Sequence, residues 1–155
     1  MNILIAYWSG TGNTEAMANA VAQGVEKAGK HADVVHVADQ PDVSAYDYII
    51  FGCPAMGAEV LEESEFEPFF MQAEGTLMNK KVALFGSYGW GSGEWMQSWE
   101  ERVEAAGANL FENGLIINYT PDADGLDACE SLGERFANAE KRVQIIRSAF
   151  RLESL

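Results

Sequence analysis

The chain has 155 residues, enough for one domain with a sizeable hydrophobic core. Ten basic residues stand against 24 acidic ones, and the formal net charge of −14 argues against nucleic acid and anionic membranes as partners, because both require a positive surface. The N-terminus shows neither a basic leader nor an apolar run long enough to span a bilayer, so we expect a soluble, cytoplasmic protein.

Apolar runs alternate with helical patterns along the chain. They predict, in order, a strand at 2–8, a helix at 13–29, strands at 32–37 and 47–53, a helix at 65–73, a strand at 81–85, a helix at 93–106, a strand at 114–118 and a helix at 126–151. This alternation is typical of the doubly wound α/β class, in which helices cover both faces of a parallel sheet. We therefore expect a five-stranded parallel sheet in a single domain, 1–155, with a C-terminal helix extended beyond about residue 138.

The last part of that helix keeps an apolar pattern with basic residues interspersed. The pattern suits either packing over the sheet or self-association, and the sequence leaves both open.

The chain has few side chains with the reactivity needed for catalysis. Cys53 and Cys129 lack the spacing of metal ligands, and His31 and His36 have no partner pattern for catalysis or a metal, so we expect all four to be structural.

The first strand runs directly into a turn of small and polar residues. The turn consists of Ser9, Gly10, Thr11, Gly12, Asn13 and Thr14. At a helix N-terminus such a turn directs several backbone N–H groups and hydroxyls at one point, which suits an anion. It has no lysine after its glycines, unlike a nucleotide-triphosphatase loop, and it lacks the third glycine of the dinucleotide fingerprint. Taken alone, the turn indicates a phosphate site and an ordinary helix cap about equally.

Two further loops follow the third and fourth strands. In open parallel sheets, ligands bind beyond the carboxyl ends of the strands. We call the turn at 9–14 the first loop. The second loop contains Pro54, Ala55, Met56, Gly57, Ala58 and Glu59, and the third loop contains Ser87, Tyr88, Gly89, Trp90, Gly91 and Gly93. Trp90 offers a flat aromatic face and Met56 a polarisable thioether. A lone loop tryptophan is more often an anchor, but the three loops together favour a planar ring held between Met56 and Trp90, with a phosphate in the first turn.

At these positions the chain resembles the short-chain flavodoxins of anaerobic bacteria. The resemblance covers nearly the whole chain and rests on residues 9–14, 55–57, 59–69 and 82–91. It implies the sheet order 2-1-3-4-5, with FMN at the point where the strand order reverses. It also implies a low-potential, one-electron transfer protein with non-covalent FMN that cycles between semiquinone and hydroquinone, an electron carrier rather than an enzyme.

The resemblance also implies a role for individual residues. The phosphate would be held by the first turn with Ser87, the ring would lie between Met56 and Trp90, and Glu59 would accept from the flavin N3–H. Backbone at Gly89 and Gly91 would meet the pyrimidine edge, while Tyr88 would shape the loop. The Gly57–Ala58 peptide would turn a carbonyl towards N5, in a type II′ turn with glycine first. Pro54 and Ala58 depart from the residues common in the family.

Acidic side chains next to the second loop suggest how such a carrier would meet its partners. Glu62, Glu63, Glu65 and Glu67 are expected to dock basic faces of reductases or iron–sulfur oxidoreductases, with simple solvation as the alternative. We expect a monomer. The alternative function is an FMN-dependent NAD(P)H:quinone reductase on the same fold. A receiver domain is disfavoured, because Trp8-Ser9 and Cys53-Pro54 stand where its acidic residues would be.

Overall fold

The computed structural model describes the backbone of residues 2–153 and the side chains of residues 2–139. The strands are β1 Asn2–Tyr7, β2 His31–His36, β3 Tyr48–Gly52, β4 Lys81–Tyr88, β5 Asn109–Leu110 and β6 Leu115–Asn118. The helices are α1 Asn13–Lys27, α2 Phe66–Glu74, α3 Glu94–Ala105 and α4 Ala123–Glu153, and two short 3-10 helices, Val37–Asp39 and Val43–Ala45, lie between β2 and β3. The side chains of the predicted C-terminal extension lie outside the described residues.

All strand pairs in the sheet are parallel, and the order is β2-β1-β3-β4-β5, with β6 also paired to β4. This confirms the predicted doubly wound sheet. Strand order reverses at β1, which has β2 on one side and β3 on the other. The carboxyl ends of β1, β3 and β4 therefore lie side by side at one edge of the sheet.

The fifth strand predicted at 114–118 is present as β6, but a short strand that the sequence did not predict, β5, precedes it. Two short segments, β5 and β6, share that position, and each pairs with a different part of β4. Between them, Glu112 has a left-handed φ of 61°, which takes the chain out of the extended conformation. The Gly114 N–H then donates to Glu100 on α3 at 2.6 Å. The interruption therefore arises from a local turn, and the pairing to β4 resumes beyond it.

Side chains that alternate along the strands divide the hydrophobic core into two layers. In β1, Leu4 and Ala6 pack in a cluster with α2 and α3, whereas Ile3 and Ile5 pack in a cluster with α1 and α4. Each of these strand residues is fully buried. Because both faces of the sheet are covered, the loops at its edges are left to carry function. No helix in the part of the chain that the structure describes is long and apolar enough to cross a membrane.

Helices α1 and α4 approach closely on their face of the sheet. A Cβ on Gly24 would overlap the backbone of Glu130, and one on Gly133 would overlap the backbone of Val21. Glycine at both positions lets the two helix backbones come into direct contact, which fixes the direction of α1. The first loop, 9–14, runs into α1 at Asn13, so this packing also sets the position of that loop.

Candidate functional site

The three predicted loops meet at the carboxyl edge of the sheet and enclose a cavity of about 260 Å³. It is lined by Trp8, Ser9, Gly10, Thr11, Asn13, Thr14, Pro54, Ala55, Met56, Ser87, Tyr88, Gly89 and Tyr119. Most of the predicted site residues thus come together in one place, although they belong to three separate parts of the chain. Seven predicted residues lie outside this lining: Gly12, Gly57, Ala58, Glu59, Trp90, Gly91 and Gly93.

The first loop is held as a compact turn before α1. Gly12 takes a left-handed φ of 98°, and its N–H donates to the Ser9 hydroxyl at 3.1 Å. No side chain caps α1 at Gly12, so this turn differs from an ordinary Ser/Thr cap, in which a side-chain oxygen accepts from the helix N–H groups. The N-terminal end of the helix, with its partial positive charge, faces the cavity through Asn13 and Thr14.

A pair of buried hydroxyls lies where the first and third loops meet. Thr14 is 1 % exposed and Ser87 is 5 % exposed, and both line the cavity. Ser87 reaches this position because it stands near the end of β4, next to a tightly packed Gly86. A Cβ at Gly86 would overlap the Cys53 carbonyl, so glycine is what allows the ends of β3 and β4 to come this close.

The third loop is fixed by the segment that follows β6. The Tyr119 N–H donates to the Tyr88 carbonyl at 2.6 Å, and the Asn118 side-chain amide donates to the Gly89 carbonyl at 2.7 Å. The Tyr119 ring lies close to Gly89, where an added Cβ would be 3.4 Å from the ring edge. Tyr119 therefore supports the loop through its backbone and also forms part of the cavity wall.

The second loop makes a tight turn around Gly57 and Ala58. The Glu59 N–H donates to the Met56 carbonyl at 2.9 Å, and the Met56 N–H donates to the Val60 carbonyl at 2.8 Å. A type II′ turn requires a positive φ at Gly57, but the left-handed residue here is Glu59, with φ 55°. The predicted turn type is wrong for this conformation, because the positive φ falls after the two central residues. Gly57 and Ala58 are exposed, and a Cβ at Gly57 would meet no atom within 4 Å.

Glu59 lies beneath the third loop, beside the N-terminus of α3. One carboxylate oxygen, Oε2, accepts from the Trp95 N–H at 3.0 Å. The other, Oε1, is buried and has no hydrogen-bond partner within the described part of the chain. A Cβ on Gly91, whose φ is 108°, would overlap this oxygen. A buried carboxylate oxygen with free acceptor capacity is costly unless something donates to it, which points to a ligand donor.

Met56 lines the cavity, and Trp90 directly follows the lining residue Gly89. Met56 is 39 % exposed and Trp90 is 73 % exposed. A tryptophan that anchored its own loop would be buried, so the anchor interpretation of Trp90 is wrong. Two large, exposed apolar side chains on loops that contribute to one cavity are typical of a binding surface.

Two cavity residues were missed by the sequence reasoning. Trp8 ends the first apolar run, and its indole N–H donates to Glu65 at 3.0 Å, while Tyr119 follows β6 in a left-handed conformation. Both stand directly after a strand. The rule that ligands bind beyond strand ends, applied to every strand end rather than to the glycine-rich loops alone, would have found them.

The expectation that all four neighbouring carboxylates form a docking face is wrong. Glu62 is only 3 % exposed, and its carboxylate accepts from the Ser64 hydroxyl and from the N–H groups of Ser64, Glu65 and Phe66. Burial alone would raise the pKa of Glu62, but these hydrogen bonds outweigh it and hold the pKa below its ordinary value. Glu62 therefore caps α2.

The carboxylate of Glu67 also has a partner within the protein. It pairs with Arg102 at 2.8 Å, and Arg102 also pairs with Glu74 at 2.7 Å and lies 4.9 Å from the ring centre of Phe70. This network joins α2 to α3. Of the four carboxylates, Glu63 and Glu65 are the exposed ones.

The two thiols offer no reactive centre. Cys53 and Cys129 are both buried and free. Burial raises the pKa of the Cys53 thiol and raises that of Cys129 to about 12, so both stay protonated at neutral pH. The described residues contain no group of side chains arranged to hold a metal ion.

The comparisons with known proteins agree with one another. The model of the flavodoxin family matches residues 5–133. A flavodoxin of Megasphaera elsdenii is 50 % identical over 137 residues, covering 87 % of this chain and 98 % of the relative, and one of Clostridium beijerinckii is 48 % identical, covering 86 % and 98 %. The solution structure of two-electron reduced M. elsdenii flavodoxin superposes with a TM-score of 0.79, at 48 % identity, over 88 % of this chain and 98 % of that one.

Proposed function

The chain belongs to the flavodoxin family, and from this we infer that it is an FMN-binding electron carrier rather than an enzyme. The observation that carries this proposal is the convergence of the loops after β1, β3 and β4 on one cavity, beside the point where strand order reverses. The quinone reductase alternative is not favoured, since two relatives that this chain matches over 98 % of their length are flavodoxins.

The donor set fits a phosphate. The N-terminal end of α1 and the hydroxyls of Thr14 and Ser87 supply donors at one end of the cavity, in a place that excludes bulk water. The turn has no lysine or arginine, so the affinity for the phosphate depends on how well these neutral donors converge. We assign the phosphate to Ser9, Thr11, Gly12, Asn13, Thr14 and Ser87.

The loops around the cavity fit a planar heteroaromatic ring. Met56 and Trp90 are assigned to its two faces, because both side chains are exposed to solvent. The free Oε1 of Glu59 is a buried acceptor for a ring N–H, and the flavin N3–H has that character. The remaining assigned residues shape the loops around the ring: Gly10, Pro54, Ala55, Gly57, Ala58, Tyr88, Gly89, Gly91 and Gly93.

When bound, FMN supplies the redox chemistry, because it takes up and releases electrons one at a time. The chain's part is to control the proton and the charge. The Gly57–Ala58 peptide lies in an exposed turn with open space around Gly57, so its carbonyl has room to reorient towards a protonated ring nitrogen.

The net charge of the chain determines whether the reduction potential of bound FMN is raised or lowered. A net charge of −14 disfavours a further negative charge on the ring. Two unit charges 10 Å apart repel by about 0.4 kcal/mol in water and about 1.7 kcal/mol at an effective dielectric constant of 20. A few such repulsions lower the reduction potential for the second electron by on the order of 100 mV, since about 59 mV corresponds to a tenfold change in the equilibrium constant of a one-electron step. The carrier therefore uses the one-electron step that has the lower reduction potential.

Partners of this carrier are redox proteins. The exposed Glu63 and Glu65 lie next to the second loop and suit basic faces on reductases and iron–sulfur oxidoreductases. The same proposal takes the chain to be a cytoplasmic monomer built as one domain over 1–155. Electron transfer to a basic partner should slow as salt is raised, because screening weakens the attraction.

Stepwise reduction of the protein loaded with FMN, followed in the visible spectrum, tests this function. We expect two separate one-electron steps, with the second at clearly lower potential. A single two-electron step would refute the carrier, and steady-state NAD(P)H–quinone turnover by the isolated protein would support the reductase instead.

A further inference from the structure

His36, which the sequence presents as merely structural, contacts the first loop. It is the last residue of β2 and pairs in register with Tyr7 of β1. Its ring packs edge-on against Tyr7, with 5.2 Å between ring centres, and lies 6.4 Å from the ring of Trp8. This packing directs Nε2 towards the backbone of Ser9, at 3.3 Å from the Ser9 nitrogen and 3.5 Å from the Ser9 oxygen.

The other ring nitrogen is also engaged. The Ala38 N–H donates to Nδ1 at 3.1 Å. A neutral imidazole that accepts at Nδ1 carries its proton on Nε2, where it can donate to the Ser9 carbonyl, whereas the other tautomer accepts from the Ser9 N–H. In either tautomer Nε2 bonds to the main chain of Ser9. When the proton is on Nε2, the ring is held at both ends, because Nδ1 accepts from the Ala38 N–H while Nε2 donates to the Ser9 carbonyl.

Ser9 passes this constraint on to the start of α1. Its hydroxyl accepts from the Gly12 N–H, and Gly12 is the N-cap residue of α1. The contacts thus run from His36 through Ser9 to Gly12. His36 itself does not line the cavity, whereas Ser9 does.

We propose that His36 is a positioning residue for phosphate binding, which acts by fixing the backbone of Ser9 so that the donors of the first loop converge on the phosphate. This inference rests on the proposed binding of FMN. A loop without lysine or arginine gains its affinity from prearranged neutral donors, so a small displacement of its backbone weakens binding. The alternative role is a spacer that only fills the gap between Tyr7 and Trp8.

Two flavins separate these roles, because riboflavin carries the same ring as FMN but has no phosphate. FMN and riboflavin are titrated into the apoproteins of the wild type, His36→Phe and His36→Gln. His36→Phe keeps an aromatic ring but has no ring nitrogen, and His36→Gln keeps polar atoms but has no ring. His31→Gln is the matched control, since His31 is exposed at the opposite end of the same strand and bonds to Asp33.

We expect His36→Phe to weaken FMN binding by about 5- to 10-fold, the worth of one net hydrogen bond, while riboflavin binding changes less than twofold. His36→Gln should lose less, and His31→Gln should match the wild type. Equal losses for FMN and riboflavin would show a spacer and overturn the proposal, as would no loss for either ligand. If the wild type binds neither flavin, it is the proposed function that fails.

A second measurement covers the case in which His36→Phe does not fold. In the wild-type apoprotein, the imidazole ¹H–¹⁵N signals of His36 should shift on addition of FMN but not on addition of riboflavin. Equal responses to the two ligands would contradict a role that acts through the phosphate.

Discussion

The hydroxyl oxygens of Thr14 and Ser87 lie 3.3 Å apart in the floor of the cavity, although 73 residues separate them in the chain. Thr14 belongs to the first turn of α1 and Ser87 to the end of β4, so the pair joins the first and third loops. A hydroxyl has one donor and two acceptor positions, and the bond between the two uses only part of that capacity. The O–H donor that this bond does not use is available to an anion placed between the loops.

Removing the hydroxyl of Ser87 should weaken phosphate binding. We expect Ser87→Ala to raise the Kd for FMN by about 3- to 10-fold, the worth of one net hydrogen bond, and to leave riboflavin binding nearly unchanged. Titration of each apoprotein by flavin fluorescence measures both values. Ser92→Ala is the matched control, since Ser92 is exposed and its hydroxyl bonds to Glu94. An equal loss for both flavins would mean that Ser87 supports the cavity as a whole.

Removing the indole of Trp90 should weaken the binding of both flavins equally. Because Trp90 is assigned to the ring and not to the phosphate, Trp90→Ala should weaken FMN and riboflavin by the same factor, about tenfold, from the lost aromatic contact of about 0.5–1.5 kcal/mol and its buried area. Met71→Ala, at an exposed methionine on α2, should leave both affinities unchanged. Unchanged flavin binding in Trp90→Ala would remove Trp90 from the site.

Glu62 should stabilise the fold in a pH-dependent manner. Its folded pKa is lowered, so the ionised form stabilises the protein above the ordinary carboxyl pKa, and that stability is lost as pH falls through the folded value. We expect Glu62→Gln to lower the free energy of unfolding at pH 7 by about 1–2 kcal/mol, because hydrogen bonds to a charged cap are lost. The difference should shrink below about pH 4.5.

Urea unfolding at a series of pH values measures this difference, with Glu63→Gln as the control because Glu63 is the exposed neighbour. A destabilisation that stays constant from pH 7 to pH 3 would show that Glu62 does not act as a charged cap.

The close contact of α1 and α4 predicts a cost for any side chain at Gly24. Gly24→Ala should destabilise the protein by about 2–3 kcal/mol, since its Cβ would overlap the Glu130 backbone, which cannot move as freely as a side chain. Gly75→Ala is the matched control, because Gly75 has an ordinary φ of −69° and an added Cβ there would lie 3.7 Å from the nearest atom. Thermal unfolding of the two variants gives the comparison, and equal midpoints would refute the contact.

Much of the fold follows from local pattern. The alternation of Ile3, Leu4, Ile5 and Ala6, with both sets buried, is what a strand covered on two faces requires, and it was visible in the sequence. The short strand β5 was missed, because the turn that separates it from β6 depends on a left-handed φ at Glu112, which glutamate rarely adopts. The loops of the site were predicted from their glycines and hydroxyls, since these residue types have few other reasons to cluster.

The features of the site that the sequence did not predict depend on contacts between distant segments of the chain. A run of glutamates looks the same whether a member is solvated, as Glu63 is, or folded back on a helix end, as Glu62 is. The contact of His36 with Ser9 arises only once β2 lies beside β1 in its particular register. Similarly, the Tyr119 N–H bonds to the Tyr88 carbonyl only because β6 pairs with β4 in the sheet.

The most direct test of the account is an equilibrium titration of the apoprotein with FMN and, separately, with riboflavin, followed by the quenching of flavin fluorescence. The account predicts that one equivalent of FMN is bound tightly and that riboflavin, which lacks the phosphate, is bound clearly more weakly. A protein that leaves micromolar FMN unquenched, or that binds the two flavins equally, would contradict a site built from neutral donors around a phosphate.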